Sequence, residues 1–386
     1  MREPPEDRDH VRHRRLSRTV AAVTAGLLAL TGCGGQAPSD VPAVDALVGF
    51  YDQGSGLWPT TGWWNSANAL TALIDYMIAT GDRRYAWVVE NTYEQKRNAA
   101  RGNFVNDLID DTGWWALAWI RAYDLTGEQR YLSTARTAID FMGGFEDDHC
   151  GGGIWWTVAR TYKNAIASEL YIKAAAELDV RLGGGTPYRD SAVRVWDWFE
   201  ASGMINEDLL VNDGLNNGTC ENNGQTTWTY NQGVVLGALV ALHESTGDTA
   251  YLERAEELAD ASTDSDAINV DGILTEPCEQ TGCGVDGPSF KGIYVRNLGE
   301  LDRALEDRPY HDYLVDQATS AYENNRTEDS QYGVHWAGPI AGITGATQQS
   351  AVDALVAALV PPGEEETDTD ATTDGSTGAP APASTG

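Results

Sequence analysis

Two adjacent aspartates, Asp110 and Asp111, lie directly before a tryptophan-rich apolar pattern. Residues 106–119 read N-D-L-I-D-D-T-G-W-W-A-L-A-W. Hydrolysis of a glycosidic bond needs one carboxyl group that protonates the departing oxygen and a second that acts at the anomeric carbon. Flat apolar rings beside such a pair could hold sugar units. The segment is therefore a candidate active site for the cleavage of a glycosidic bond.

The distance between the two carboxyl groups indicates which mechanism they could serve. Consecutive Cα atoms are about 3.8 Å apart and neighbouring side chains diverge, so carboxyl separations of about 5 to 6 Å are readily reached, as in retaining enzymes. Two like charges this close resist joint ionisation, which leaves one proton donor and one carboxylate near neutral pH. In the alternative interpretation, Asp111 only caps a helix that begins near Thr112.

Other polar and aromatic residues could contact a sugar. The tryptophans are expected to divide about equally between core packing and sugar stacking, because tryptophan is seldom fully buried and its N–H needs a partner. Amide and ammonium groups that interrupt apolar segments suit sugar hydroxyls, although each one alone is more often a structural hydrogen-bonding group. The candidate contacts are Asn65, Trp114, Trp115, Lys163, Asn164, Tyr230, Asn231, Gln232, Phe290 and Lys291.

An internal repeat indicates the elements that position these residues. Each copy is a helix, a turn of the T-G-D type and, three residues on, a tyrosine that opens a second helix. The clearest turns are Thr80-Gly81-Asp82, Thr126-Gly127-Glu128 and Thr246-Gly247-Asp248. Glycine after an apolar segment is a signal for a helix C-terminus, so each copy predicts a helical hairpin. A spacing of about 45 to 65 residues allows about six hairpins and favours an all-α toroid.

The leading and following helices differ in composition. The leading helices, at about 67–79, 114–123, 165–178 and 233–243, are small and apolar, which predicts an inner ring. The following helices, at about 131–141 and 251–261, mix charges with an apolar stripe and predict an outer ring. The aspartate pair and the other candidate contacts lie in loops that enter the inner helices. We therefore expect the functional site at that end of the barrel.

The charge of the chain restricts its partners. The formal net charge is −32, from 26 basic and 58 acidic residues, which disfavours nucleic acid and anionic lipid and suits a neutral polysaccharide. The six histidines form no H-x-x-x-H pattern, and the Asn/Asp-rich residues 212–223 do not match a calcium loop. We expect a monomer that uses no metal and no cofactor.

The two termini are expected to lie outside the catalytic domain. Four arginines precede an apolar run at 20–30 that ends in L-T-G-Cys33, a pattern typical of a bacterial lipoprotein signal (1–33) whose cysteine becomes lipidated. The chain would then be extracytoplasmic, with the lipid as its one membrane contact. A plain secretory signal is the alternative. In either case export could use the general or the twin-arginine route. A short linker (34–42), the domain (43–358) and a disordered acidic tail (359–386) follow.

Four further cysteines, Cys150, Cys220, Cys278 and Cys283, permit three disulfide connectivities. We favour Cys278 with Cys283, because that short loop is easily closed. Cys150 with Cys220 would then join two Gly/Asn-rich segments. A zinc site is disfavoured because there is no C-x-x-C and no nearby histidine pair.

Several motifs in this order resemble glycoside hydrolase family 76, the endo-alpha-1,6-mannanases, over about residues 43–358. They are N-D-L-I-D-D-T-G-W-W, G-G-G-I-W-W followed by Lys163-Asn164, T-Y-N-Q-G from Thr229, and Phe290-Lys291-Gly292. The resemblance implies an (α/α)6 barrel and metal-free retaining hydrolysis of an alpha-1,6-mannan backbone. It implies that Asp110 is the nucleophile and Asp111 the general acid/base. It also implies cleft roles for Asp213, Asn65, Tyr230, Gln232, Phe290 and Lys291.

Three other functions stay open at this point. The same scaffold could transfer mannan-containing glycans to an acceptor sugar instead of water. The chain could be a non-catalytic lipoprotein that binds oligosaccharides. It could also be a different six-hairpin enzyme, such as an unsaturated glucuronyl hydrolase, which would act on acidic sugars.

Overall fold

The structure is a computed structural model that describes residues 41–359. The predicted signal peptide with Cys33, most of the linker and nearly all of the acidic tail lie outside these residues. Their assignments therefore stay predictions.

Twelve α-helices make up most of the described chain. In chain order they are α1 (Val41–Gly49), α2 (Trp63–Thr80), α3 (Ala86–Lys96), α4 (Ile109–Thr126), α5 (Gln129–Gly143), α6 (Ala165–Arg181), α7 (Pro187–Ala201), α8 (Thr229–Thr246), α9 (Ala250–Asp264), α10 (Phe290–Ala304), α11 (His311–Asn324) and α12 (Gly345–Ala357). A two-stranded antiparallel hairpin, β1 (Asn269–Val270) and β2 (Ile273–Leu274), is the one sheet within residues 41–359. Over the same range, every helix is too short or too polar to cross a bilayer.

The even-numbered helices form a closed inner ring. Each packs against the next even-numbered helix, and α12 packs against α2, so the ring has no open edge. The odd-numbered helices lie outside it; α3, α5, α7, α9 and α11 pack mainly against their neighbours in the chain, and α1 packs mainly against α12. The predicted (α/α)6 barrel is confirmed.

The burial of each helix follows its place in the two rings. Every residue of α6 from Ala165 to Asp179 is buried, whereas α9 buries one stripe that includes Ala255, Leu258 and Ala259. A helix that is apolar all round requires neighbours on every side, and one with a single stripe can face solvent. The small side chains of the inner helices let six of them pack closely around one axis.

The turns between inner and outer helices are as the repeat predicts. Gly81, Gly127 and Gly247 end α2, α4 and α8 in the left-handed region, with φ of 75°, 72° and 76°. Glycine adopts this conformation without steric cost and stops the helix within one residue. All the short turns of this kind lie at one end of the barrel. The long connecting segments, such as 144–164 and 202–228, lie at the end where the inner helices begin.

The inner helices begin earlier than predicted. Helix α4 begins at Ile109 instead of 114, and α8 begins at Thr229 instead of 233. Asp110, Asp111 and Tyr230 therefore lie in the first helical turns and not in loops. Polar residues are tolerated there because the first N–H groups of a helix have no partner within it and open toward the barrel end.

Candidate active site

A cleft of about 280 Å³ opens at the end of the barrel where the inner helices begin. Side chains from α2, α4, α6, α8 and α10 line it, together with residues of three connecting segments. The lining residues are Trp64, Asp110, Trp114, Trp156, Tyr162, Asn164, Ile166, Asp213, Tyr230, Asp286 and Phe290. Six of the residues predicted to form the site are among them: Asp110, Trp114, Asn164, Asp213, Tyr230 and Phe290.

The first turn of α4 holds the aspartate pair in two different environments. Asp110 lines the cleft, and its carboxylate accepts one hydrogen bond from Trp156 Nε1 at 2.9 Å and one from the Asp111 backbone N–H at 2.9 Å. Asp111 is buried beside it, and its Oδ2 accepts a hydrogen bond from Asn106 Nδ2 at 2.6 Å. Leu108 occupies the N-cap position, so a role for Asp111 as a helix cap does not fit.

Burial raises the pKa of both carboxyl groups. Loss of solvation raises the pKa of Asp110 to about 6. The rise is limited because hydrogen bonds from Trp156 and from the backbone stabilise the carboxylate. The pKa of Asp111 rises to about 8, first through burial and then through the adjacent charge of Asp110. A like charge nearby disfavours a second ionisation, so the two pKa values move apart. One carboxyl group then ionises easily and the other keeps its proton. This order suits Asp110 as carboxylate and Asp111 as acid.

Aromatic rings from four inner helices form one wall of the cleft. Trp64 on α2 stacks against Trp114 on α4, with ring centroids 5.5 Å apart, and against Phe290 on α10 at 6.0 Å. Tyr230 on α8 packs on Phe290 at 4.2 Å. Flat apolar faces of this kind bind sugar rings through their C–H surfaces, while the edges hold polar groups that fix orientation.

Asp213 faces the cleft from the segment before α8. Its Oδ2 accepts a short hydrogen bond from Tyr162 Oη at 2.5 Å, and burial raises its pKa. Gln232 holds the neighbouring backbone, because its side chain accepts from Val211 N at 2.7 Å and donates to Val211 O at 2.8 Å. Gln232 was expected to contact substrate; instead it fixes the strand-like segment that carries Asp213.

Two predicted lysines lie outside the cleft. Lys163 is fully buried, and its ammonium group bonds to Asp147 Oδ1 at 3.0 Å and to the carbonyl oxygen of His149 at 2.6 Å. Lys291 pairs with Glu279 at 2.5 Å and donates to the Val334 carbonyl at 2.8 Å. Long segments with many backbone carbonyls need such buried donors, so both ammonium groups stabilise the connecting segments.

Three further candidates are also placed away from the cleft. Asn65 spans α2 and α10, accepting from Gly62 N at 3.1 Å and donating to Ser289 Oγ at 2.9 Å. Trp115 packs in the core against Phe104, with centroids 4.8 Å apart. Asn231 is fully buried on α8. Consecutive helical residues point about 100° apart, so one member of a pair faces the cleft while its neighbour turns away.

Three residues that the sequence motifs did not single out for the site also line the cleft. Tyr162 and Asp286 come from connecting segments, and Ile166 is an ordinary apolar residue of α6. Trp156 was one of several tryptophans without an assigned role, and its N–H now holds Asp110. The G-G-G-I-W-W motif was the one local signal for it. No sequence pattern marks Asp286.

Both favoured disulfides are confirmed, Cys150 with Cys220 and Cys278 with Cys283. Among the described residues, the one His/Cys/Asp/Glu grouping close enough to hold an ion is His149 with Cys150 and Cys220. Its two sulfurs are bonded to each other, so they are not thiolate ligands. Both disulfides lie in the long segments at the cleft end.

Comparison with known proteins identifies the family. The model of glycosyl hydrolase family 76 matches residues 42–370. The chain belongs to this family. As a family 76 member it is a glycoside hydrolase, which removes the non-catalytic binding lipoprotein from the alternatives, and its barrel is the family's barrel.

Individual relatives agree with this family assignment. The chain is 26% identical to mannan endo-1,6-alpha-mannosidase DFG5 of Candida albicans, over 79% of this chain and 74% of that one. The structure of the GH76A alpha-1,6-mannanase from Salegentibacter sp. HEL1_6 superposes with a TM-score of 0.75 at 25% identity, over 83% of this chain and 97% of that one. The Lin0763 protein of Listeria innocua gives 0.73 at 26% identity, over 83% and 95%.

Proposed function

We propose that this family 76 enzyme hydrolyses alpha-1,6-mannosidic bonds within mannan chains with retention of anomeric configuration. The observation that carries the proposal is the adjacent pair, in which Asp110 lines the cleft and Asp111 has the higher pKa. The relatives described as alpha-1,6-mannosidases and alpha-1,6-mannanase support the choice of substrate.

In the proposed first step, a carboxylate oxygen of Asp110 forms a bond to the anomeric carbon as the glycosidic C–O bond breaks. The proton of Asp111 goes to the departing oxygen, which leaves as a hydroxyl group. In the second step, Asp111 takes a proton from water, and the water oxygen displaces Asp110 from the anomeric carbon. Two inversions give net retention. Trp156 and the Asp111 N–H hold Asp110 as its charge changes.

The charge of the cleft supports a neutral substrate. Three carboxylates, those of Asp110, Asp213 and Asp286, line it, and the lining contributed by residues 41–359 includes no lysine or arginine. An acidic sugar would meet like charge without a compensating cation, which costs binding energy in a partly buried site. This observation argues against a glucuronyl hydrolase. A mannan backbone carries no charge and offers C–H faces to the aromatic wall.

The proposal predicts that Asp110→Asn and Asp111→Asn each lose at least about 1000-fold in kcat on linear alpha-1,6-mannan, since each replaces a group that makes or transfers a bond. Melting temperature should stay near that of the wild type. Near-normal turnover by either variant would contradict the proposal. NMR of the first products should show the alpha anomer; initial release of the beta anomer would exclude retention.

The same assay separates hydrolysis from transfer. Wild-type enzyme with mannan should release mainly reducing oligosaccharides when a competing acceptor sugar is added at millimolar concentration. Products that carry the acceptor as their main fraction would favour a transglycosidase.

We further infer, from the sequence of the N-terminus, that the enzyme is exported and tethered by a lipid on Cys33. The two disulfides support an oxidising location outside the cytoplasm. The native chain expressed in its host should fractionate with membranes and incorporate a labelled fatty acid, whereas Cys33→Ser should incorporate none. Absence of the label from the native chain would contradict the lipid anchor.

A further inference from the structure

Residues 276–289, which we name the cap segment, connect the starts of three inner helices. The segment follows the β1–β2 hairpin and ends at Ser289, the residue before α10. Its polar side chains bond to α8, α10 and α2 in turn: Glu276 with Thr229, Glu279 with Lys291, and Ser289 with Asn65. Because three helices hold it, the cap segment is fixed relative to the cleft they surround.

The Cys278–Cys283 disulfide stiffens the middle of the cap segment. The chain then passes so close to it that a Cβ added to Gly287 would lie 2.5 Å from Cys283 Cβ and 3.0 Å from Cys278 Sγ. Such distances leave no room for a side chain, so the glycine lets the backbone rest on the disulfide. The residue before this glycine is Asp286, whose backbone carbonyl also accepts from Ser289 N at 3.0 Å.

Asp286 brings a third carboxylate to the cleft. Its Oδ1 accepts a hydrogen bond from Trp64 Nε1 at 2.9 Å, and it lines the same cleft as Asp110. Within residues 41–359, no protein donor bonds to its Oδ2. The side chain is exposed, so solvent or a ligand can reach that oxygen. One oxygen therefore orients the Trp64 ring, and the other is available near the edge of that ring.

We propose that Asp286 is a specificity-determining residue, which accepts hydrogen bonds from the hydroxyls of a neutral hexosyl unit stacked on Trp64 in a subsite next to Asp110. This inference rests on the proposed function and adds a subsite to it. A carboxylate is a strong acceptor for O–H groups and forms shorter, stronger bonds than a neutral amide does. A ring stacked on Trp64 presents its hydroxyls at the ring edge, where Nε1 and the carboxylate lie.

The charge of Asp286 also acts on the catalytic pair. Burial is the main cause of the raised pKa of Asp110 and Asp111, and the negative charge of Asp286 raises both further. Asp111 also faces the carboxylate of Asp110 and the amide of Asn106, which bonds to it directly. Removing the Asp286 charge should therefore move both limbs of the pH–rate profile to lower pH. This change reports the charge of Asp286 beside the pair, whereas KM at each chain length reports its contact with substrate.

The test compares wild type with Asp286→Asn on alpha-1,6-linked mannooligosaccharides of three to six units. Asparagine keeps an oxygen that accepts from Trp64 Nε1 but lacks the charge, and the exposed position should tolerate it. We expect KM to rise about tenfold for oligosaccharides long enough to fill the subsite, with kcat within about threefold, since a charged hydrogen bond to substrate is lost. Shorter oligosaccharides should show little change. Glu221→Gln, which removes an exposed charge from the segment before α8, should leave KM, kcat and the pH limbs unchanged.

The outcomes separate this inference from the proposed function. If wild type cleaves none of the oligosaccharides, the proposed function is wrong, and the inferred subsite is wrong as well. If wild type cleaves them and Asp286→Asn has the same KM at every length, only the subsite is wrong, whether or not the pH limbs move. A uniform loss of kcat at all lengths with a lower melting temperature would also contradict it, because that pattern indicates a structural role. Retained folding is checked by the melting temperature of each variant.

Discussion

The two ends of the barrel both carry buried charges but arrange them differently. At the end opposite the cleft, a larger cavity of about 460 Å³ is lined by charged residues that pair with each other. Arg121 bonds to Asp75 at 2.6 Å, and Arg296 lies 3.4 Å from Asp353. In the cleft, Asp110, Asp213 and Asp286 accept hydrogen bonds from indole, phenol and backbone groups, all of them neutral.

This difference indicates which end can do chemistry. A guanidinium beside a carboxylate favours its ionised form, although burial still raises the pKa of Asp353 to about 7. Asp110 and Asp111 accept hydrogen bonds from neutral donors, and Asp110 faces an open cleft where a substrate can meet it, as acid and base catalysis require. The larger cavity also lacks aromatic rings in the described chain. Cavity size is therefore a weaker guide to the site than the neutral partners and rings around the cleft.

The two ends also differ in what holds the backbone. Both disulfides lie at the cleft end, so removing them tests how much they stabilise its long segments. At the cleft end, Cys150–Cys220 closes a loop with a sequence separation of 70 residues and Cys278–Cys283 one of 5. The chain-entropy relation gives about 4 kcal/mol of unfolding free energy for the first and about 2 kcal/mol for the second. Paired Cys→Ser variants measured by chemical denaturation should lose stability in that order. Equal losses would show that the long segments are held by other contacts.

The paired charges should matter for stability more than for catalysis. Lys173 on α6 is buried and lies 2.5 Å from Glu300 and 3.8 Å from Glu177. Lys173→Met removes the ammonium group that both carboxylates face, and we expect a loss of about 3 kcal/mol in unfolding free energy. At 25 °C the folded variant should keep kcat within about twofold, because Lys173 does not line the cleft.

The control is an exposed ion pair on the same protein. Arg84 lies 2.6 Å from Asp82 and is more than half exposed. Arg84→Met should change the unfolding free energy by less than about 0.5 kcal/mol. If Lys173→Met instead abolished activity in a stable protein, the paired charges would be needed for catalysis, and the assignment of catalysis to the cleft end alone would be wrong.

The sequence predicted the barrel and the catalytic candidates because both depend on local patterns. Helical hairpins repeat with glycine at each turn, and Asp110 sits in an ordered set of motifs. The disulfides followed from loop length. Asp286 was not predictable, because its place in the cleft depends on the cap segment, which is held by contacts to helices far away in the chain. For the same reason the sequence could not distinguish Asn164, which lines the cleft, from Lys163, which serves a loop.

The pH dependence of catalysis tests the comparison most finely, because activity should follow the aspartate pair at the cleft end and not the buried Asp353, whose pKa burial also raises to about 7. Activity requires Asp110 ionised and Asp111 protonated, so kcat/KM should rise with pH through about 6 and fall through about 8. Each limb should change by about tenfold per pH unit away from the optimum. Trp156→Phe removes a hydrogen bond that lowers the pKa of Asp110, so the acid limb should move to higher pH while the alkaline limb moves little. A profile on which this variant leaves the acid limb unchanged would mean that Asp110 is not the group that must ionise.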